Sequence, residues 1–151
     1  MTLTRANIES ILVQRCGAYM TAAGMVVTIA GSNANLNDPV GYAVRMCDGT
    51  VTDYLTVADA DILTVNSTDY DKLLDIAELR TLENILGNLD DVDITVGPRT
   101  EKLNQLALNL LARANRLNKR IEDAYGIGAP SVDAGHITLD FADHNEALPT
   151  S

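Results

Sequence analysis

The chain has no tryptophan and one phenylalanine among its 151 residues, and five tyrosines complete its aromatic complement. A core without large rings must be filled by Leu, Ile, Val and Ala, a composition that suits packed helices. There are two cysteines, Cys16 and Cys47, in no CxxC or histidine-containing arrangement. That spacing argues against a disulfide framework or a thiolate metal site and for two small apolar core residues. Positive charge is also scarce: 11 Lys and Arg face 21 Asp and Glu, for a net charge of −10. Phosphate recognition rests on basic surface, so a nucleic-acid binder is not expected. No apolar run approaches the roughly 18 residues of a membrane span, and no basic-then-apolar start with a cleavage site opens the chain. Synthesis in a cytoplasm, with no membrane partner, is the expectation.

What is present is a 46% apolar chain, enough for one folded domain with a modest core. Thr4 reads as the N-cap of a first helix. From there Ile8, Ile11, Leu12, Cys16, Tyr19, Met20 and Ala23 recur at three- and four-residue spacing up to a stop at Gly24. "MVVTIA" is ambiguous between a strand and an extended loop, and "GSNANLN" reads as loop. "NDPVGYAVRMCDG" predicts a compact helix with Asp38 as N-cap, Pro39 at the first position and Gly49 as the stop. "TVADADIL" predicts a short helix opened by a Thr56/Asp59 variant of the capping box, against a rival β reading of "TVTDYLTV". A stronger helix runs from Thr68 or Asp69 to about Asn88, with acids clustered near its start, and "DDVDITVG" connects it to the next.

The longest predicted helix runs from Pro98 to Tyr125, with Gly126 as its stop. Leu103, Leu106, Leu110, Ala114, Leu117, Ile121 and Ala124 form its seam, near the heptad period and about 40 Å long if straight. A domain of this size is about 30 Å across, so one end of the helix is expected to project or meet a partner. This stretch holds six Lys or Arg and three Asp or Glu, a surplus of three positive charges, which leaves −13 on the remainder. Arg113, Arg116, Lys119 and Arg120 are therefore candidates for meeting the acidic surface of another copy, the plainer account being a solvated helix face.

After "GIGAPS" the pattern changes, which divides the chain into a helical domain, 1–126, and a C-terminal linker and arm, 127–151. Within the arm "HITLDF" has the two-residue period of a half-buried strand: Ile137, Leu139 and Phe141 on one face, Thr138 and Asp140 on the other. A lone strand leaves its backbone groups unpaired. It either adds to a sheet edge on a neighbouring subunit or another protein, the preferred reading, or pairs within the chain, with "MVVTIA" as its first choice of partner.

No catalytic or cofactor constellation emerges. If Asp91 opened a calcium loop, Val96 and Lys102 would stand where Gly and Glu are required. His136, Asp140 and His144 would align as metal ligands only on a helix. There is no phosphate loop, GxGxxG, GxSxG, or nucleophile with a recognisable base. No catalytic residue, metal ligand or cofactor is assigned, and the expectation is a protein that is not an enzyme.

Taken in order, "LNDPVGYAVR", "TVADADIL", "YDKLLDIAELRTLENIL" and "VGPRTEKLNQL…RANRLNKRIEDAYG" resemble the head-to-tail adaptor, or connector, proteins of long-tailed bacteriophages. The likeness runs from about Leu3 to Gly126 and is one of pattern rather than of a diagnostic motif. It implies a mainly α fold, a small helical bundle with a long C-terminal helix, here followed by the extended arm with its short strand. It also implies a structural role in the neck of the virion. Copies would form a ring, typically twelve-fold, that docks on the portal, meets a tail-side completion or terminator protein, and extends the DNA channel without sequence-specific binding. An acidic channel wall would repel DNA phosphates and let the duplex slide. The reading from a different class is a small cytoplasmic helical regulator that binds one protein partner.

Overall fold

The computed structural model describes residues 2–92 and 97–126. Among the described residues five α-helices carry the fold: α1 (Arg5–Ala22), α2 (Asn37–Met46), α3 (Asp59–Ile62), α4 (Tyr70–Val92) and α5 (Gly97–Tyr125). Single 3-10 turns at Ala34–Leu36 and Ser67–Asp69 lead into α2 and α4. The mainly helical class is thus as expected, with no strand among the described residues. "MVVTIA" is an irregular segment, and the predicted strand at 136–141 lies outside the described residues.

Helix α4 is the hub, and α1, α2 and α5 all pack on it. Its Leu73, Ala77, Leu82 and Ile85 are fully enclosed. Against them lie Ile8, Leu12, Cys16 and Met20 of α1, Val40, Ala43 and Val44 of α2, and Leu110, Leu117 and Ile121 of α5. The spacings, four residues throughout on α1 and near one or two turns on the others, keep each set to one side of its helix, so each helix buries one stripe. Both thiols are free and buried. Burial pushes each to a pKa of about 11, over the opposing pull of Arg113 at Cys16 and Lys72 at Cys47; both pack as core residues.

The ends of the helices show where the sequence reading needs correction. Thr4 does cap α1: its Oγ1 accepts from the Asn7 N–H at 3.2 Å while Asn7 Oδ1 accepts from the Thr4 N–H at 3.2 Å. Asp38, however, is not the cap of α2. The 3-10 turn, capped by Asn33, runs directly into α2 and leaves Asp38 in its first turn. There its carboxylate takes Arg80 Nε at 2.9 Å and Asn84 Nδ2 at 2.9 Å, fastening α2 to α4. Gly49 is not the left-handed residue that stops α2 either. That residue is Asp48, at φ 60°, and the Gly49 N–H closes the turn on the Val44 carbonyl at 2.9 Å. Similarly, no Thr56/Asp59 box opens α3. Buried Asp61 reaches back to the Ala58 N–H at 3.0 Å and takes the Thr52 N–H and hydroxyl at 3.0 and 2.8 Å.

Burial opposes ionisation of Asp61, yet the Ala58 and Thr52 donors outweigh it and hold the carboxyl below its usual range. Asp38 is lowered in the same sense: burial opposes, and Arg80 and Asn84 prevail. A carboxyl lowered on folding stabilises the fold above its unfolded pKa of about 3.9 and loses that contribution as pH falls through the folded value. Urea midpoints are therefore expected to decline below about pH 4, and Asp61→Asn is expected to flatten that decline.

Candidate functional site

Two polar constructions carry more than packing requires. The first is an ionic clip that joins three helices. Asp75 and Glu78 stand one turn apart on α4, and Glu78 is almost enclosed. Glu78 accepts from Arg15 of α1 at 2.7 Å through one oxygen and from Arg113 of α5 at 2.8 Å through the other. Asp75 accepts from Arg120 at 2.6 Å and from the Tyr125 hydroxyl at 3.0 Å, with Arg15 3.8 Å away. Arg113 also donates to the Arg15 carbonyl at 3.1 Å and lies 5.8 Å from the centre of the Tyr19 ring. Burial and the Asp75 carboxylate together raise the Tyr125 pKa.

Of the four cations proposed to meet another copy, two are thus engaged within the chain: Arg113 and Arg120 spend their charge on Glu78 and Asp75. Arg116 and Lys119 are exposed and form no ion pair among the described residues. The seam of α5 holds at Leu110, Ala114, Leu117 and Ile121. Ala124 is exposed, and Tyr125 packs against the core in its stead; the side chain of Leu103 lies outside the described set. Flanking that seam is a second apolar stripe that the sequence reading passed over. Leu108 and Leu111 are 61% and 48% exposed. With Leu86, Asn104 and Ala107 they line an open groove of about 550 Å³ between α4 and α5. Lys119 lies three turns beyond Leu108 on the same face. The run "LNQLALNLLAR" did contain the signal, since its leucines are too many for one face of a helix.

The second construction pins the segment between α1 and α2. Arg5 and Glu9, both enclosed, form an ion pair at 2.9 Å. Glu9 also accepts the N–H groups of Ala30, Gly31 and Asn33 at 3.1, 2.7 and 2.8 Å, and Arg5 donates to the Asn33 carbonyl at 2.9 Å. The Arg5 N–H is received by Asp59 at 2.6 Å, so α3 joins the same knot. No spacing rule marks Arg5 and Glu9 as anything but a solvated i,i+4 pair. Their burial follows from the loop wrapped over them, which is a long-range property.

Among the described residues no cluster of three His, Cys, Asp or Glu could hold a metal ion, and no helix is long and apolar enough to cross a membrane. Ile137, Thr138, Leu139, Asp140 and Phe141 lie outside the described residues. Comparison with protein-family models, with curated proteins and with solved structures found no match. The resemblance therefore rests on the quoted residues alone.

Proposed function

We propose that this chain is a structural subunit of a bacteriophage neck: a head-to-tail adaptor that forms a ring with copies of itself, docks on the portal and continues the DNA channel toward a tail-side completion or terminator protein. The observation that carries this reading is the outward stripe of α5. A helix that already buries Leu110, Ala114, Leu117 and Ile121 in the core presents Leu108 and Leu111 to solvent over a groove, with Arg116 and Lys119 further along. Apolar contact flanked by charge is what a heterologous interface needs, and such contacts close into a ring when the rotation permits. Arg116 and Lys119, the two cations of α5 left without an ion pair among the described residues, and the −13 carried by the rest of the chain supply opposite charge for adjacent copies. The acidic excess would let DNA pass without adhering.

The test mixes the purified chain with portal rings of the virus that encodes it and reads ring formation by electron microscopy. The double variant Leu108→Asp, Leu111→Asp changes solvent-facing positions, so its urea stability is expected to stay within about 0.5 kcal/mol of wild type. Its assembly on the portal is expected to be lost. Equal assembly by the variant would remove the α5 stripe as the interface. A wild-type chain that ignores the portal and stays monomeric would favour the regulator.

A further inference from the structure

The segment between α1 and α2 is bonded along one side only. The Val26 N–H goes to Asn35 Oδ1 at 2.8 Å, and the Val26 and Thr28 carbonyls both converge on Asn33 Nδ2 at 2.8 and 3.0 Å. The Ala30 N–H then goes to Glu9. The bonded backbone groups of residues 26, 28 and 30 thus turn toward Asn33, Asn35 and Glu9, with the two-residue alternation of an extended strand. Alternation turns the N–H and C=O groups of Val27 and Ile29 to the opposite side. Among the described residues none of those four groups has a hydrogen-bond partner. Val26, Val27 and Ile29 also expose their side chains, at 54%, 38% and 47%. The result is a ladder edge held in place by side chains instead of by a neighbouring strand.

We infer that residues 137–141 of the same chain fold back and add as a strand to this edge, bonding to Val27 and Ile29. The pattern of "HITLDF" supplies the strand, and the chain supplies the reach. Gly126 ends α5 beside Tyr125, whose hydroxyl meets Asp75; Asp75 lies 3.8 Å from Arg15 on α1. Arg15 is six residues, or about 9 Å, along α1 from Glu9, which holds Ala30. The ten residues from 127 to 136 span up to about 33 Å, enough to go around a helix about 10 Å across. A linker this short gives its own segment an effective concentration in the millimolar range, which outcompetes another copy in a dilute solution. Residues 24–37 carry no charge, so Asp140 meets no like charge there. Covering the edge also removes a template for aggregation. This pairing stands whether or not the chain assembles into a ring.

Residue-resolved amide hydrogen exchange on the full chain, at a concentration where light scattering reports a monomer, tests it. The Val27 and Ile29 amides are expected to exchange at least ~10-fold more slowly than unstructured amides. Nuclear Overhauser contacts are expected between residues 27–29 and 137–141, without any substitution. In the full chain, Thr138→Pro and Leu139→Pro between them remove a ladder donor in either register. One of them is expected to restore fast exchange at Val27 and Ile29 while α1 and α4 stay protected. Unprotected Val27 and Ile29 in the wild type would overturn the inference, as would protection that survives both proline variants. Protection that appears only as concentration rises would assign the edge to a second copy and overturn the same-chain pairing.

Discussion

Replacement of Glu9 by alanine is expected to destabilise the protein by about 3–5 kcal/mol, the range for breaking a buried ion pair from one side. The variant would leave the Arg5 guanidinium enclosed without its anion. It would also orphan the N–H groups of Ala30, Gly31 and Asn33, for which the Glu9 carboxylate is the acceptor. Removing both charges with Arg5→Met, Glu9→Leu is expected to recover only part of the loss. That double change spares the unpaired cation but not the three orphaned donors. Urea unfolding of the three proteins gives the ordering. Full recovery in the double variant would mean that the loop donors find water at no cost.

Gly49→Ala is the second large effect. A methyl group at that position would stand 2.7 Å from Val44 Cγ1 and from Val65 Cγ2, and 2.9 Å from Thr64 Oγ1. Val44 and Val65 are enclosed in the core and have no room to yield. Thr64 receives the Thr50 N–H at 2.8 Å, so moving it breaks the bond that closes the loop after α2. Overpacking of this kind costs about 1–3 kcal/mol, and the upper end is expected because all three neighbours are constrained at once. A denaturation midpoint equal to wild type would show that the loop shifts freely.

These two positions mark the boundary of what local sequence reveals. The helices were legible because each pairs a single buried stripe with a recognisable end: Thr4 and Gly24 for α1, the leucine seam and Gly126 for α5. Gly49 was legible as a special residue but for the wrong reason. A glycine after a helix suggests a left-handed stop, whereas here Asp48 takes that conformation and Gly49 makes room for Val44 five residues back and for Thr64 and Val65 fifteen and sixteen residues on. Asp38 was misplaced for a related reason, because a 3-10 turn can extend a helix backwards past a good capping residue. Glu9 was not legible at all, since nothing local distinguishes a carboxylate that will be covered by a distant loop. Of the candidate site, the cations of α5 were found by charge counting. Counting could not divide Arg113 and Arg120, which are neutralised by α4, from Arg116 and Lys119.

The division between clipped and unclipped cations has a mechanical consequence. The ionic clip fastens α5 to α1 and α4 only through residues 113, 120 and 125, toward one end of a rod about 43 Å long. The groove at Leu108 and Leu111 lies within about two turns of Arg113, where Leu110 is still buried in the core, so the exposed leucines stand close to the clamp. A pivot of about five degrees at Arg113 would carry the first residue of α5, about 24 Å away, by about 2 Å, and Leu108 by less than about 1 Å. A contact surface held this near the clamp keeps its place relative to the packed core, so a partner seated on it registers against a rigid body.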